Sequence, residues 1–235
     1  MKIALFLLSI PISCTCYGQA LKFASPLHGT QGQDFFITYY VDHDTTKNFS
    51  DAFCGNKTYD GHTGTDFSIR SFKSMDSGVC IYAMADGKVL KTRDGLFDRY
   101  KHWVGKPNPG NFVGILHGSG YYTEYCHMQK GSLLVKTGDK VKAGQPIGKV
   151  GSSGYSSGPH LHIGIRDFRN DVIDPFSAKC QTIDDNLWLV EPKYDTSTFV
   201  VEDGFVPYRP NLDTLTERYL VRDTFYMKKD TTVCY

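Results

Sequence analysis

Gly158-Pro159-His160-Leu161-His162-Ile163-Gly164-Ile165 sets two histidines two residues apart inside an apolar, β-branched run. Such runs favour strands, and residues i and i+2 of a strand point to the same face. The stretch therefore predicts a strand that projects both imidazoles to one side. Imidazole is the commonest metal ligand and the commonest general acid/base, so the pair can supply a ligand, a base or both. A merely polar strand face is the plain alternative, and the neighbouring segments decide between the two.

Working outward, Gly151-Ser152-Ser153-Gly154 reads as a short loop bordering a groove. Upstream, Leu134 to Val150 carries glycines at 138, 144 and 148 between Val135, Val141, Ile147 and Val150, which predicts short strands with tight turns. Lipoyl and biotinyl carrier domains share that phrasing, but they present a modified lysine on a hairpin, and this chain runs on to the histidine pair. Asn111–His117 and Tyr121–Met128 read as a hairpin through Gly118-Ser119-Gly120. Strand alternation puts Thr123, Tyr125 and His127 on one face. Cross-strand neighbours lie ~5 Å apart, so His127 can approach the His160/His162 face. His117, at the end of its strand, reads as a structural residue.

Residues 93–111 form a long irregular segment that could wall a groove, with His102 as a rim residue. Val79–Met84, a turn at Asp86-Gly87 and Lys88-Val89-Leu90 read as another hairpin, and Phe35–Val41 as a strand. Between these lie His62 and Asp66. An extended chain would hold them ~13 Å apart at ~3.3 Å per residue, too far to share one ion. Thr63-Gly64-Thr65 makes a poor helix interior. A bend at Gly64, just before a strand at Phe67–Ile69, would fold both side chains inward; a solvated turn is the plain alternative.

The 235 residues are 40% hydrophobic and 14% aromatic, enough for one sizeable core with appendages. Twenty-six basic residues against 25 acidic ones leave no surplus that would suggest nucleic acid or an anionic membrane surface as partner. Fifteen Tyr, fifteen Phe and 23 Gly, with turn signals throughout, predict an all-β chain.

Residues 1–18 read as a secretory signal peptide: Lys2, a short apolar run Ile3–Ile12, and Cys16-Tyr17-Gly18 before Gln19. Pro11-Ile12-Ser13-Cys14 is a poor lipobox, which argues against lipidation at Cys14. No other segment suits a transmembrane helix, so the expected location is periplasmic or extracellular. In an oxidising compartment Cys54, Cys80, Cys126, Cys180 and Cys234 predict a disulfide or two with at least one thiol left over. None of these cysteines has the C-x-x-C spacing of a zinc–thiolate cluster. Cys126 as a nucleophile beside His127 is disfavoured, because strand neighbours point to opposite faces.

Three pieces then converge: His62-x-x-x-Asp66, Tyr125-Cys126-His127 and His160-Leu161-His162. A catalytic zinc site has three N or O ligands from the protein and an open fourth position. His62, Asp66 and one of the strand histidines meet that count, leaving the other histidine and His127 to move protons. In its motifs, and in Val141-Lys142-Ala143-Gly144-Gln145-Pro146-Ile147-Gly148 and Gly151-Ser152-Ser153-Gly154, the sequence resembles the lysostaphin/LytM type of zinc metalloendopeptidase, which cuts peptide bonds in bacterial peptidoglycan. The resemblance spans residues 58–178. It implies Zn2+ held by His62, Asp66 and His162, with His127 and His160 as catalytic histidines. It also implies an antiparallel β-sheet core with a substrate groove, of the duplicated-hybrid-motif type. Residues 19–57 are expected as an N-terminal β segment packed on that core, and 179–235 as a β-rich C-terminal extension outside the resemblance. The expected partner is the peptidoglycan peptide, and the expected state a monomer. Two other functions fit less well: a catalytically silent module that regulates another wall hydrolase, and a secreted protease against Gly-rich proteins. The first is disfavoured because all five positions are retained.

Overall fold

The computed structural model describes residues 21–100, 105–118, 120–177 and 186–195. The signal peptide, Cys14, His102, Cys180, Cys234 and everything after residue 195 lie outside the described residues. What is described is almost entirely strand, as the aromatic and β-branched composition predicts: β1 (Phe36–Tyr39), β2 (Gly64–Ser68), β3 (Cys80–Tyr82), β4 (Gly87–Arg93), β5 (Asn111–His117), β6 (Tyr122–Met128), β7 (Lys140–Val141), β8 (Pro146–Lys149) and β9 (His160–Arg166). A single short helix, α1 (Phe72–Ser77), interrupts them; Ser71 caps it by accepting the Ser74 N–H, and Gly78 ends it in the left-handed region.

Seven strands form one sheet in the order β1-β2-β9-β6-β5-β4-β7, and β3 and β8 form a second of two strands. Every pairing is antiparallel. The histidine-pair strand β9 lies inside the large sheet, between β2 and β6. Its side chains alternate: Leu161, Ile163 and Ile165 are buried, while His160, His162, Gly164 and Arg166 are partly exposed on the other face. Burial of each of those aliphatic side chains contributes about 1.5–3 kcal/mol. They join one apolar cluster with Phe67, Tyr125, Val113, Ile115 and Val89 from neighbouring strands and with Ile81 and Ile147 from the small sheet. The site strand is thus anchored by one face and free to do chemistry with the other.

The β5–β6 hairpin forms as expected. The expected hairpin over residues 79–90 does not. β3 pairs with β8 instead, and β4 pairs with β5 and β7. The reason lies in Ala83, Met84 and Ala85, which are buried where a hairpin loop would have to be solvated; the backbone of Ala83 bonds to Gln145 and Gly144. Both ends of the described chain also pack on this core. Phe23, Leu27, Phe35 and Ile37 are buried, and Trp188 packs its ring against Phe67 and Phe176. Residues 186–195 are therefore part of the core cluster, through Leu187 and Trp188. Cys54 and Cys80 are disulfide-bonded, and Cys126 is a free, buried thiol.

Candidate active site

Register places the parts. In the β2–β9 ladder Asp66 stands opposite His162, and Ser68 opposite His160. The bend that brings in His62 lies one turn earlier than Gly64: Gly61 has φ +74°, and the His62 N–H donates to the Tyr59 carbonyl. Gly64 is already strand, and it is needed for a different reason. A Cβ there would meet the Ile163 carbonyl oxygen at 2.4 Å and the His162 Nε2 at 2.6 Å, so only glycine lets β2 and the His162 ring approach so closely.

Three atoms then converge. His62 Nε2 lies 3.2 Å from Asp66 Oδ1 and 3.1 Å from His162 Nδ1, and His162 Nδ1 lies 2.9 Å from Asp66 Oδ1. His62 Nδ1 is 2.7 Å from the Tyr40 carbonyl, to which it must donate. That fixes Nε2 of the neutral ring as a lone pair. Two ring nitrogens and a carboxylate oxygen so close together need a positive charge between them. Four ligands at ~2.0–2.1 Å in a tetrahedron would be ~3.3 Å apart, so the observed triangle suits a small divalent cation. His62, Asp66 and His162 are the one group among the described residues able to hold a metal. The local electrostatics agree. Burial would raise the Asp66 carboxyl, but the attraction of His62 and His160 in their protonated forms and the hydrogen bonds with His162 and His62 hold it well below its ordinary range, and the same carboxylate raises His62 until an ion takes the proton's place.

His127 reaches this group by a route that strand alternation does not give. Thr123 and Tyr125 stand opposite Ile165 and Ile163 and point into the core. Regular alternation would bury His127 there too. Instead the β5–β6 register slips near this end, and His127 takes φ +61°, a left-handed conformation that costs a non-glycine residue about 1–3 kcal/mol. Its N–H bonds the Pro109 carbonyl at 2.9 Å, and its Nδ1–H donates to the Ser153 carbonyl at 2.7 Å. The bulge turns the ring to the groove face, 4.7 Å from the His160 ring and 6.0 Å from that of His162.

His160 is held in the same way, with Nδ1 donating to the Gly158 carbonyl at 2.8 Å. Both rings therefore aim an unprotonated Nε2 away from their anchoring carbonyls. Burial, then the neighbouring charges of His160 and His162, push His127 well below its ordinary value, and burial lowers His160. Both are neutral near pH 7, the state a proton acceptor needs.

The same bulge overturns the expected placement of Cys126. Its partner in register is His162, so the thiol, not Thr123 or Tyr125, shares that sheet face. It is nonetheless buried, which with the Glu124 and Asp66 carboxylates pushes its pKa well above the ordinary value. A protonated buried thiol is a poor nucleophile. His117 is structural, as expected: its Nδ1 donates to Asp86 O and its Nε2 accepts from Thr123 Oγ1, each at 2.9 Å.

Tyr59 was not picked out by sequence reasoning. Its ring stacks on His62 at 4.5 Å, and Tyr39 meets both rings edge-on. Its place three residues before a ligand histidine was the only signal for it.

Part of this sequence is shared with known proteins. Residues 60–175 match the model of Peptidase family M23. Over 101 residues the chain is 42% identical to the peptidoglycan DD-endopeptidase ShyA of Vibrio cholerae, covering 43% of this chain and 19% of that protein. Over 102 residues it is 36% identical to lysostaphin of Staphylococcus simulans, covering 43% and 17%. The match thus spans about a fifth of the length of these relatives. Among solved structures, a zinc containing peptidase from Vibrio cholerae is 31% identical over 60% of this chain and 39% of that one, with a TM-score of 0.38; a likeness that slight adds nothing to the fold read from the strands. Through residues 60–175 this chain carries a domain of peptidase family M23, of the lysostaphin/LytM type.

Proposed function

We propose that this chain is an exported zinc-dependent metalloendopeptidase that hydrolyses peptide bonds of bacterial peptidoglycan. The observation that carries this reading is the convergence of His62 Nε2, Asp66 Oδ1 and His162 Nδ1 within 3.2 Å beside two anchored, neutral histidines. Two imidazoles and one carboxylate are a common donor set for catalytic zinc. When bound there, Zn2+ would polarise the scissile carbonyl and bring the pKa of a bound water down to ~7.

The chain's own residues do the rest. His62 is oriented by Tyr40 and Asp66 is held ionised. With Nδ1 tied to a backbone carbonyl, His127 and His160 each present Nε2 as acceptor. One of them takes the proton of the attacking water and, as imidazolium, returns it to the leaving amine. The other steadies the charge developing on the carbonyl oxygen. No glutamate stands in an H-E-x-x-H helix, so histidine takes the role that glutamate has in that design. Similarity to a peptidoglycan DD-endopeptidase supports the wall substrate, and the apolar run Ile3–Ile12 supports export.

The test is to incubate purified sacculi with the protein and identify released muropeptides by mass spectrometry, with and without chelator. Release that chelator abolishes is expected. A metal-loaded protein that releases nothing overturns the reading in favour of a silent module, and cleavage of a Gly-rich protein alone overturns the wall substrate.

A further inference from the structure

The groove face of the large sheet continues past the metal ligands toward β4. A register shift at Leu90 turns Lys91 and Arg93 to stand opposite Gly114 and Phe112 of β5. Both cations gather over one ring: Lys91 Nζ lies 5.6 Å, and the Arg93 guanidinium carbon 5.2 Å, from the centre of Phe112. Like charges side by side repel, and among the described residues no carboxylate is within ion-pair distance of either. Glu124, opposite Gly114 on that face, accepts a hydrogen bond from the Tyr122 hydroxyl at 3.3 Å.

The Arg93 head is fixed. Its Nε donates to the Gly110 carbonyl at 2.6 Å, while its Nη2 is buried without a hydrogen-bond partner. An unpaired buried donor on a charged group is costly, and it persists where the surrounding structure imposes it. Its charge bears on the Cys126 thiol, which is paired in register with the ligand His162. The guanidinium leans over Phe112 of β5, and two strand spacings of ~4.8 Å put the strand of that ring ~10 Å from the ligand strand β9. That is about three residues of extended peptide at ~3.3 Å each.

On the reading that this is a peptide hydrolase, we propose that Arg93, backed by Lys91, is a specificity-determining residue that seats a free carboxylate of the substrate peptide within about three residues of the scissile bond. With Nε tied and Nη2 buried, the partly exposed Arg93 has Nη1 left to donate one charge-assisted bond to a carboxylate. Phe112 beneath it keeps water from one face, and Lys91 adds attraction without adding geometry.

The test compares two forms of one muropeptide that the enzyme cleaves, with free carboxylates or with those carboxylates converted to carboxamides. The reading is the ratio of kcat/KM for acid over amide, which cancels any difference in the fraction of folded enzyme. Wild type is expected to prefer the acid by roughly tenfold to a hundredfold, the effect of a charge-assisted pair. Arg93→Gln should bring the ratio near one, Arg93→Lys should keep part of it, and Lys91→Gln should lower it less. A wild-type ratio near one, or an unchanged ratio in Arg93→Gln, overturns the carboxylate seat while leaving the hydrolase reading intact. Failure of wild type to cut either form overturns the hydrolase reading, and the inference with it.

Discussion

His117 and His127 stand at opposite ends of the same hairpin, and both are buried. Each donates Nδ1–H to a backbone carbonyl, Asp86 for one and Ser153 for the other. The second nitrogen separates them. His117 Nε2 is satisfied by Thr123, so the ring closes a gap in the structure and has nothing left to offer. His127 Nε2 has no hydrogen-bond partner among the described residues, and its ring faces His160 across 4.7 Å. The backbone differs in the same sense, since only His127 is held in a left-handed conformation. A buried histidine with both nitrogens satisfied is a structural part; one with a nitrogen left over, at a strained position, is equipped for chemistry.

The sharpest way to break that contrast is to truncate both. His127→Ala should lower kcat per folded molecule by about 10²–10⁴-fold, the usual share of a general acid or base, with bound metal little changed and a smaller loss of stability than at position 117, since only the Ser153 carbonyl loses its partner. His117→Ala should do the reverse. It leaves the Asp86 carbonyl and Thr123 hydroxyl without their partner and opens a cavity, for a loss of about 2–4 kcal/mol of stability, while kcat per folded molecule stays near wild type. Equal rate losses in the two variants, measured on one muropeptide, would dissolve the distinction.

A smaller effect is expected at Gly64. Alanine there forces the Ile163 carbonyl and the His162 ring to shift, and displaced ligand geometry should weaken metal binding by about 10–100-fold, read by competition with a chromogenic chelator. Thr123→Val, which removes only the partner of His117 Nε2, should cost about 1–3 kcal/mol and leave metal content alone. The least effect is a pH dependence. Burial depresses His117 in the folded state, so the unfolded chain binds the proton more readily. Its contribution to stability is present above the unfolded value of about 6.5 and declines as pH falls below that toward the lower folded value. His117→Gln should flatten the stability curve on the acid side of about pH 6.5.

Much of this was legible in the sequence. The alternation of His160, Leu161, His162 and Ile163 gave a strand with a polar and an apolar face, and β9 has them. The hairpin around residue 119 could also be read, because its turn is glycine-rich and local. What could not be read depended on partners far along the chain. Strand alternation grouped His127 with Thr123 and Tyr125, yet those two are core residues. His127 meets the site only because a bulge, anchored by Pro109 and Ser153, breaks the alternation. The pairing of β3 with β8 was hidden for the same reason, as was the role of Gly64, which spares space for His162 and does not make the bend.

The central claim is that His62, Asp66 and His162 form one metal centre on which hydrolysis depends. Elemental analysis of the purified protein tests it most directly, with wild type, His62→Ala and His162→Ala assayed in parallel on sacculi. The account predicts one zinc per wild-type chain, none in either variant, and muropeptide release from wild type alone. Full metal content in a variant, or release undiminished after the zinc is stripped, would contradict it.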